Sequence, residues 1–252
     1  PDWQVVKAKE DYCLRHEIPF PHFNRLAGRP VKPSALYQRL KAKGAVFEEV
    51  YGHERPRWFA RGVEPADRYA FRREPELFRI VGEECRAVRE RAGLMDISAF
   101  AKVEVAGKGA EALLDRLVAN RLPARPGGIA LTHMLNRKGT IELECTVVRL
   151  GEERFYLVCA AFFEQRLLDH LAAHRAGEDA IVTNRSDAWG ALALNGPRAR
   201  AVLGPCTDAP LDNAAWRWLT AKEIEIAGQP ALGLRMSYAG ELGWEIHAPR
   251  ES

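Results

Sequence analysis

Residues 128–148 read GIALTHMLNRKGTIELECTVV, and the fold of the whole chain turns on them. They read as two strands joined by the polar turn Asn136-Arg137-Lys138-Gly139. In the second strand Ile141, Leu143, Cys145 and Val147 alternate with Glu142, Glu144, Thr146 and Val148. Successive strand residues face opposite sides of a sheet. The alternation therefore predicts two carboxylates on one face and a buried apolar stripe on the other. A solvated face of an antiparallel sheet has this pattern. So does a sheet that aims a carboxylate into a pocket.

Further strands and helices surround the hairpin. Residues 102–105 read as a strand, and Gly107 turns it into a helix over 110–118. After the hairpin come a strand at 155–159, a helix at 163–174 and strands at 181–184, 191–194, 223–227, 231–236 and 244–247. The segments VEVAGKGAEALL (103–114) and LALNGPRARAVL (192–203) share a strand, a turning glycine and a Leu-ended helix. Tandem ββαβ-type or βαβ-type units would produce this repeat. Strands and helices mix without strict βα alternation, which predicts an α+β fold of largely antiparallel sheets.

Residues 1–92 have another rhythm. Ile18-Pro19-Phe20-Pro21-His22 is Pro-broken, 34–43 reads as a helix stopped by Gly44, and 45–51 reads as a strand. GHERPRWF (52–59) reads as a charged, aromatic loop in which Arg55 and Arg57 could meet an anion. Residues 76–92 form an amphipathic helix ended by Gly93. A boundary there divides the chain into 1–92 and 93–252.

Composition excludes several classes. The 252 residues suffice for two units, and the net charge of +3 is spread among interleaved acids and bases. A nucleic-acid surface would show a basic stripe. No apolar run approaches a membrane span. Five widely spaced cysteines lack CxxC or zinc-ligand spacing, so free thiols, a cytoplasmic compartment and no metal site are expected. The start at Pro1 and the stop at Ser252, just after a strand, read as cuts in a longer polypeptide.

GxGxxG, Walker and GxSxG motifs are absent. The best local site signal is RMSYAGELGWE (235–245), where Glu241 stands between Gly240 and Gly243. Glycines let a flat ligand come close, and a carboxylate there can accept two hydrogen bonds from an amidine-like edge. A plain hairpin turn with a solvated Glu fits equally well. His133 and the pair Phe162-Phe163 read as packed residues, Trp216 and Trp218 as packing under a loop, and Asp96 and Ser98 as turn residues.

AGLMDISAFAKVEVAG (92–107), LTHMLNRKGTIELECTVV (131–148), FYLVCAAFFEQ (155–165), LNGPRARAVL (194–203) and RMSYAGELGWEI (235–246) together resemble the glycine-cleavage T-protein family of folate-dependent aminomethyltransferases. SALYQRLKAKGAVFEEVYGHERPRWFA (34–60) and ECRAVRERAGLMDIS (84–98) resemble the central region of dimethylglycine and sarcosine dehydrogenases. The resemblance implies a T-protein-like fold of tandem mixed or antiparallel sheets with flanking helices, preceded by a small linker domain. It implies tetrahydrofolate as acceptor of a carbon from an N-methyl amine-derived iminium. FAD would act through a domain or flavoprotein partner chain that these residues do not include. A non-catalytic folate-binding or docking module that associates with a separate flavoprotein chain is the alternative.

The family's catalytic Asp falls on Glu144, one methylene longer, and its neighbouring Asp on Leu143. The family's Gly-Glu pair falls on Gly240 and Glu241, with Tyr238 as the aromatic of that motif. Arg235 also matches a motif position. Phe100 stands where the family has Met, Leu131 where it has Tyr, and Ala160 where it has Asn. A further folate domain, with an Arg for the glutamate tail, and a terminal barrel would lie beyond Ser252.

Overall fold

The computed structural model describes residues 2–18, 23–60, 62 and 75–251, so the Pro-broken stretch at 19–22 lies outside the described residues. Contacts divide the chain into two units between Ala87 and Val88. The first contains α1 (Asp2–Cys13), α2 (Tyr37–Ala42), β1 (Ala45–Val50), β2 (His53–Phe59) and most of α3 (Pro75–Glu90). Of residues 52–59, read as a loop in the sequence, His53–Phe59 are therefore a strand. Tyr51 and Gly52 take φ of 52° and 85°, which folds β2 back antiparallel on β1, as two left-handed residues do in a tight hairpin. Arg55 is exposed, while Trp58 buries against Ala60, Ile80, Val46 and Leu77. Arg29 makes a two-point pair with Glu54, Nε to Oε1 at 2.9 Å and Nη2 to Oε2 at 2.5 Å.

The second unit is two five-stranded antiparallel sheets. Its strands are β3 (Gly93–Asp96), β4 (Ala101–Ala106), β5 (Ile129–Leu135), β6 (Ile141–Gly151), β7 (Arg154–Cys159), β8 (Ile181–Asn184), β9 (Trp189–Asn195), β10 (Thr220–Ile226), β11 (Gln229–Arg235) and β12 (Gly243–Pro249). Its helices are α4 (Ala110–Leu117), α5 (Glu164–His174) and α6 (Ala199–Leu203). The first sheet runs β5-β6-β7-β4-β8 and the second β10-β11-β12-β9-β3. The repeat is real, but each unit is β–α–β–β–β, not ββαβ or βαβ. The fifth strand comes from later chain in one sheet (β8) and from earlier chain in the other (β3).

Three apolar layers follow. The outer face of the first sheet packs Val103, Leu143, Cys145, Val147 and Leu157 under Leu113 and Leu114 of α4 and Leu167 and Leu171 of α5. Ile129, Val148, Tyr156 and Val158 meet Ala221, Leu232 and Leu234 between the sheets. The outer face of the second sheet holds Trp244 against Trp216, Ala199 and Leu203. Each fully buried large apolar side chain contributes about 1.5–3 kcal/mol of transfer free energy. Trp216 is fully buried as the sequence suggests, while Trp218 is half exposed.

The opening hairpin departs from strict alternation. Met134 pairs with Leu143 but Leu135 with Ile141, so Glu142 is an extra residue in β6. Such a bulge turns the strand locally. Glu142 swings toward α5 and pairs with Arg166 at 3.2 Å, whereas Glu144 pairs with His133 at 3.1 Å. The two carboxylates do not share a surface, and Ile141, ahead of the bulge, is 62% exposed.

Candidate functional site

Strand register assembles one set of the candidate residues. Leu131 lies opposite Thr146, Thr146 opposite Val158, and Val158 opposite Lys102, a row crossing β5, β6, β7 and β4. Two residues further along β5 and β6 the same face carries the pair His133 and Glu144, while Ala160 and Phe100 lie just outside the ends of β7 and β4. The row and the pair belong to the face that looks toward the second sheet. At its covered end Val148 is fully buried, but Leu131 is 53% and Phe100 37% exposed. Glu144 thus stands at the exposed part of this face, two residues along from the solvent-facing Leu131.

Glu144 has one described partner, His133 Nε2, and both side chains are substantially exposed. His133 is therefore not a packed core residue; the core position in that strand is Met134. Phe162 is likewise half exposed, and only Phe163 packs on the core. A groove of about 560 Å³ runs along α5, lined by Glu142, Phe162, Arg166, His170 and His174 among others. It takes in one of the hairpin's two carboxylates, Glu142, but neither Glu144 nor Glu241.

Beneath Phe100 lies Lys102, with no exposed surface. Its Nζ donates to Ser98 O at 2.9 Å and Phe100 O at 2.5 Å. Asp96 accepts from the Ser98 N–H at 2.9 Å, and Ser98 Oγ accepts from the Ala191 N–H at 3.0 Å. The loop that presents Phe100 is thereby fastened to both sheets. Burial lowers the Lys102 pKa to about 8, with Glu164, Asp187 and Asp96 working the other way.

The second set stands on the β11–β12 turn. Gly240 takes φ of 76° with open space where a side chain would be. Gly243 answers a different need, because a Cβ there would lie 2.2 Å from Asn195 Oδ1. Tyr238 is fully exposed. Glu241 Oε1 accepts from Arg89 Nη1 of α3 at 2.8 Å. Arg235 points to the outer face of the second sheet: it donates to Trp216 O and to Asn213 Oδ1 and lies over the Trp244 ring. The structure thus groups Leu131 and Glu144 by register and Tyr238, Gly240 and Glu241 by turn, holds Phe100 just ahead of β4, and directs Arg235 elsewhere.

A buried chain links the sheets behind this region. Tyr156 Oη is 3.0 Å from His247 Nδ1, and His247 Nε2 is 3.2 Å from Glu245 Oε2. Burial lowers the His247 pKa, opposed by Glu245. Neither Lys102 nor His247 stood out in the sequence, because each alternates within a strand like any solvated residue. What buries each is the opposing sheet, which no local pattern announces. Arg89 was equally silent as one of many charges on α3.

Among the described residues there is no cluster of three metal-ligating side chains, and no helix is long and apolar enough to cross a membrane. All five cysteines are unpaired. The family described as "GCVT N-terminal domain" matches residues 36–252. Dimethylglycine dehydrogenase, mitochondrial, from Mus musculus is 36% identical over 98% of this chain and 28% of its own length. Sarcosine dehydrogenase, mitochondrial, from Homo sapiens is 30% identical over 100% of this chain and 32% of its own. The chain thus spans less than a third of these curated relatives. The crystal structure of glycine cleavage system aminomethyltransferase T from Bartonella henselae superposes with a TM-score of 0.71 at 27% identity, covering 88% of this chain and 54% of that one.

Proposed function

The chain belongs to the GCVT N-terminal domain family, and we propose that it supplies the tetrahydrofolate side of a one-carbon transfer from N-methyl amines. The observation that carries this reading is an exposed part of one sheet face: the carboxylate Glu144, paired across the ladder with His133, with the solvent-facing Leu131 two residues along on that face. Flat apolar surface beside one carboxylate suits a planar ring that offers a nitrogen to be protonated and deprotonated. The residues present fit that group without a metal or a phosphate cradle.

Glu144 lies beside the folate nitrogen that closes on the transferred carbon. It stabilises the positive charge developing there and takes up the proton released as that nitrogen bonds to the carbon. His133, 3.1 Å away, orients the carboxylate. Glu241 accepts a pair of N–H donors from the amidine-like edge of the pterin, the two-point geometry that carboxylates offer guanidine-type groups. Tyr238 and Gly240 shape the same turn. Oxidation of the amine to the iminium falls to a flavin-bearing domain or partner chain.

Calorimetric titration with tetrahydrofolate tests the site. Wild type should bind saturably, and Glu241→Ala should bind about tenfold or more weakly, the effect of losing hydrogen bonds to a charged acceptor. No heat at millimolar tetrahydrofolate would sink the reading. Glu144→Gln should keep binding and lose methylene transfer by about 100-fold or more; normal transfer would remove Glu144 from the role.

A second reading has its own observation. In the first unit α1 leaves Trp3 and Val6, three residues apart on one helix face, at least 40% exposed. An apolar helix face of that kind suits docking onto a flavoprotein chain. Charge substitutions at Trp3 and Val6 that leave such an association unchanged in sedimentation would exclude it.

A further inference from the structure

We propose that Arg89 is an internal competitor for the ring-edge-reading carboxylate: its guanidinium occupies Glu241 and sets the threshold a ligand must exceed to bind there. The inference rests on the reading of Glu241 as a pterin contact. A guanidinium and the 2-aminopyrimidine edge of a pterin offer a carboxylate the same thing, planar N–H donors backed by delocalised positive charge or polarity. The side chain already seated on Glu241 is thus a chemical likeness of the proposed ligand.

The contact is placed by the backbone and is not a chance meeting of long side chains. Arg89 sits in the last turn of α3. Just beyond it Arg91 O accepts from the Arg198 N–H at 2.8 Å. The Gly196 N–H donates at 2.8 Å to the carbonyl of Leu242, the residue after Glu241. Gly196 fits so tightly against α3 that a Cβ would lie 2.6 Å from Arg91 O and 2.7 Å from Val88 O. One turn, 195–198, therefore pins the end of α3 and the Glu241 turn to each other.

Exposure gives the direction of the competition. The Arg89 side chain is 75% exposed and that of Glu241 only 20%. The guanidinium covers the carboxylate from the solvent side, where a ligand would arrive. It does so through a single Nη1–Oε1 bond. A single-point cation therefore gains on Glu241 no more than Arg89 already supplies. A planar edge that delivers two donors gains more, and only such an edge displaces the guanidinium at modest concentration. Arg89 then returns to water at little cost.

The test uses Arg89→Gln and Arg89→Lys in the full chain, titrated with tetrahydrofolate by calorimetry at low and high NaCl. Exposed ion pairs are weak, so Arg89→Gln should lower Kd by about two- to fivefold at low salt. Arg89→Lys should fall between. Salt screens exposed pairs, so the wild-type Kd should approach that of Arg89→Gln as NaCl rises. In a Glu241→Ala background Arg89→Gln should change nothing. An unchanged or weaker Kd in Arg89→Gln, or the same tightening without Glu241, would overturn the inference while leaving the folate site in place. If wild type and Arg89→Gln both fail to bind, the site reading fails and the competitor falls with it.

Discussion

The two β–α–β–β–β units of the larger domain build the same corner from different materials. In each, a strand runs into a glycine whose φ is 121° (Gly107) or 126° (Gly196), then into a helix. Gly107 N–H donates to Glu153 O and Gly109 N–H to Asp179 O. In the second unit the corresponding bonds go from Gly196 to Leu242 O and from Arg198 to Arg91 O. Asp179 only leads into β8, the edge of the first sheet, whereas Arg91 is the end of α3 and Leu242 adjoins Glu241. One local device thus serves packing in the first unit and placement of the candidate site in the second.

The sharpest way to break that comparison is to fill both corners. A Cβ on Gly107 would lie 2.4 Å from Asp179 O, and one on Gly196 would lie 2.6 Å from Arg91 O. Both positions also have a φ that L side chains rarely adopt. Backbone strain and the forced displacement together should cost about 3 kcal/mol or more for each Ala variant, read from the urea midpoint. The second measurement separates the corners. The folded fraction of Gly107→Ala should bind tetrahydrofolate like wild type, and Gly196→Ala should bind it differently. Equal affinities would mean that the two corners do the same job.

The faces that the units turn toward each other also differ. Counting from the equivalent glycines, Lys102 of the first unit occupies the place that Ala191 has in the second. His247 of the second occupies the place of Val158 in the first. Each charge-bearing position thus has a small or apolar counterpart. Lys102 is a cost that depends on pH. Its folded pKa is about 8, against about 10.4 for a free lysine. Between these values the unfolded chain binds more protons than the folded one, so stability rises with pH. The cost is complete below pH 8 and is relieved by about 3 kcal/mol as pH approaches 10.4. Urea midpoints across that range should climb in wild type and stay flatter in Lys102→Met. Parallel profiles would mean that the ammonium is better solvated than its burial indicates.

These contrasts also mark what the sequence could convey. The hairpin, the strand–glycine–helix repeat and the antiparallel class follow from period-two patterns and glycine spacing, signals that lie within a few residues. The carboxylates at 144 and 241 are legible because their strands and turns are local. The extra residue at Glu142 is not, since a bulge is fixed by the register of two strands at once. The hairpin strand His53–Phe59 is hidden by its charges and by Pro56, and only Tyr51 and Gly52 mark the turn. Lys102, His247 and Arg89 owe their roles to partners far along the chain, and a single alternating strand or amphipathic helix gives them no distinguishing mark. The sequence resemblance reached the family and proposed roles for 144 and 241; it could not tell that Arg235 turns to the outer face.

The smallest expected effect concerns His247, the second unit's polar answer to Lys102. Fully buried, it lies between Tyr156 and Glu245. A neutral ring satisfies both neighbours if Tyr156 Oη donates to Nδ1 and Nε2–H donates to Glu245. Burial is the larger influence and lowers its pKa; Glu245 opposes it, and Lys102 adds to the lowering. In the unfolded chain the ring takes a proton near pH 6.5. Below that value the unfolded state therefore binds more protons, and stability is lost as pH falls toward the folded pKa. The slope cannot exceed about 1.4 kcal/mol per pH unit for one group. His170, also lowered by burial, contributes in the same window, so the difference between wild type and His247→Gln isolates the buried ring. Urea midpoints at pH 7.5 and 5.5 should separate more in wild type than in the variant. If both fall equally, the acid sensitivity lies elsewhere, and the polar residues between the sheets are unequal: Lys102 titrates against the fold and His247 does not.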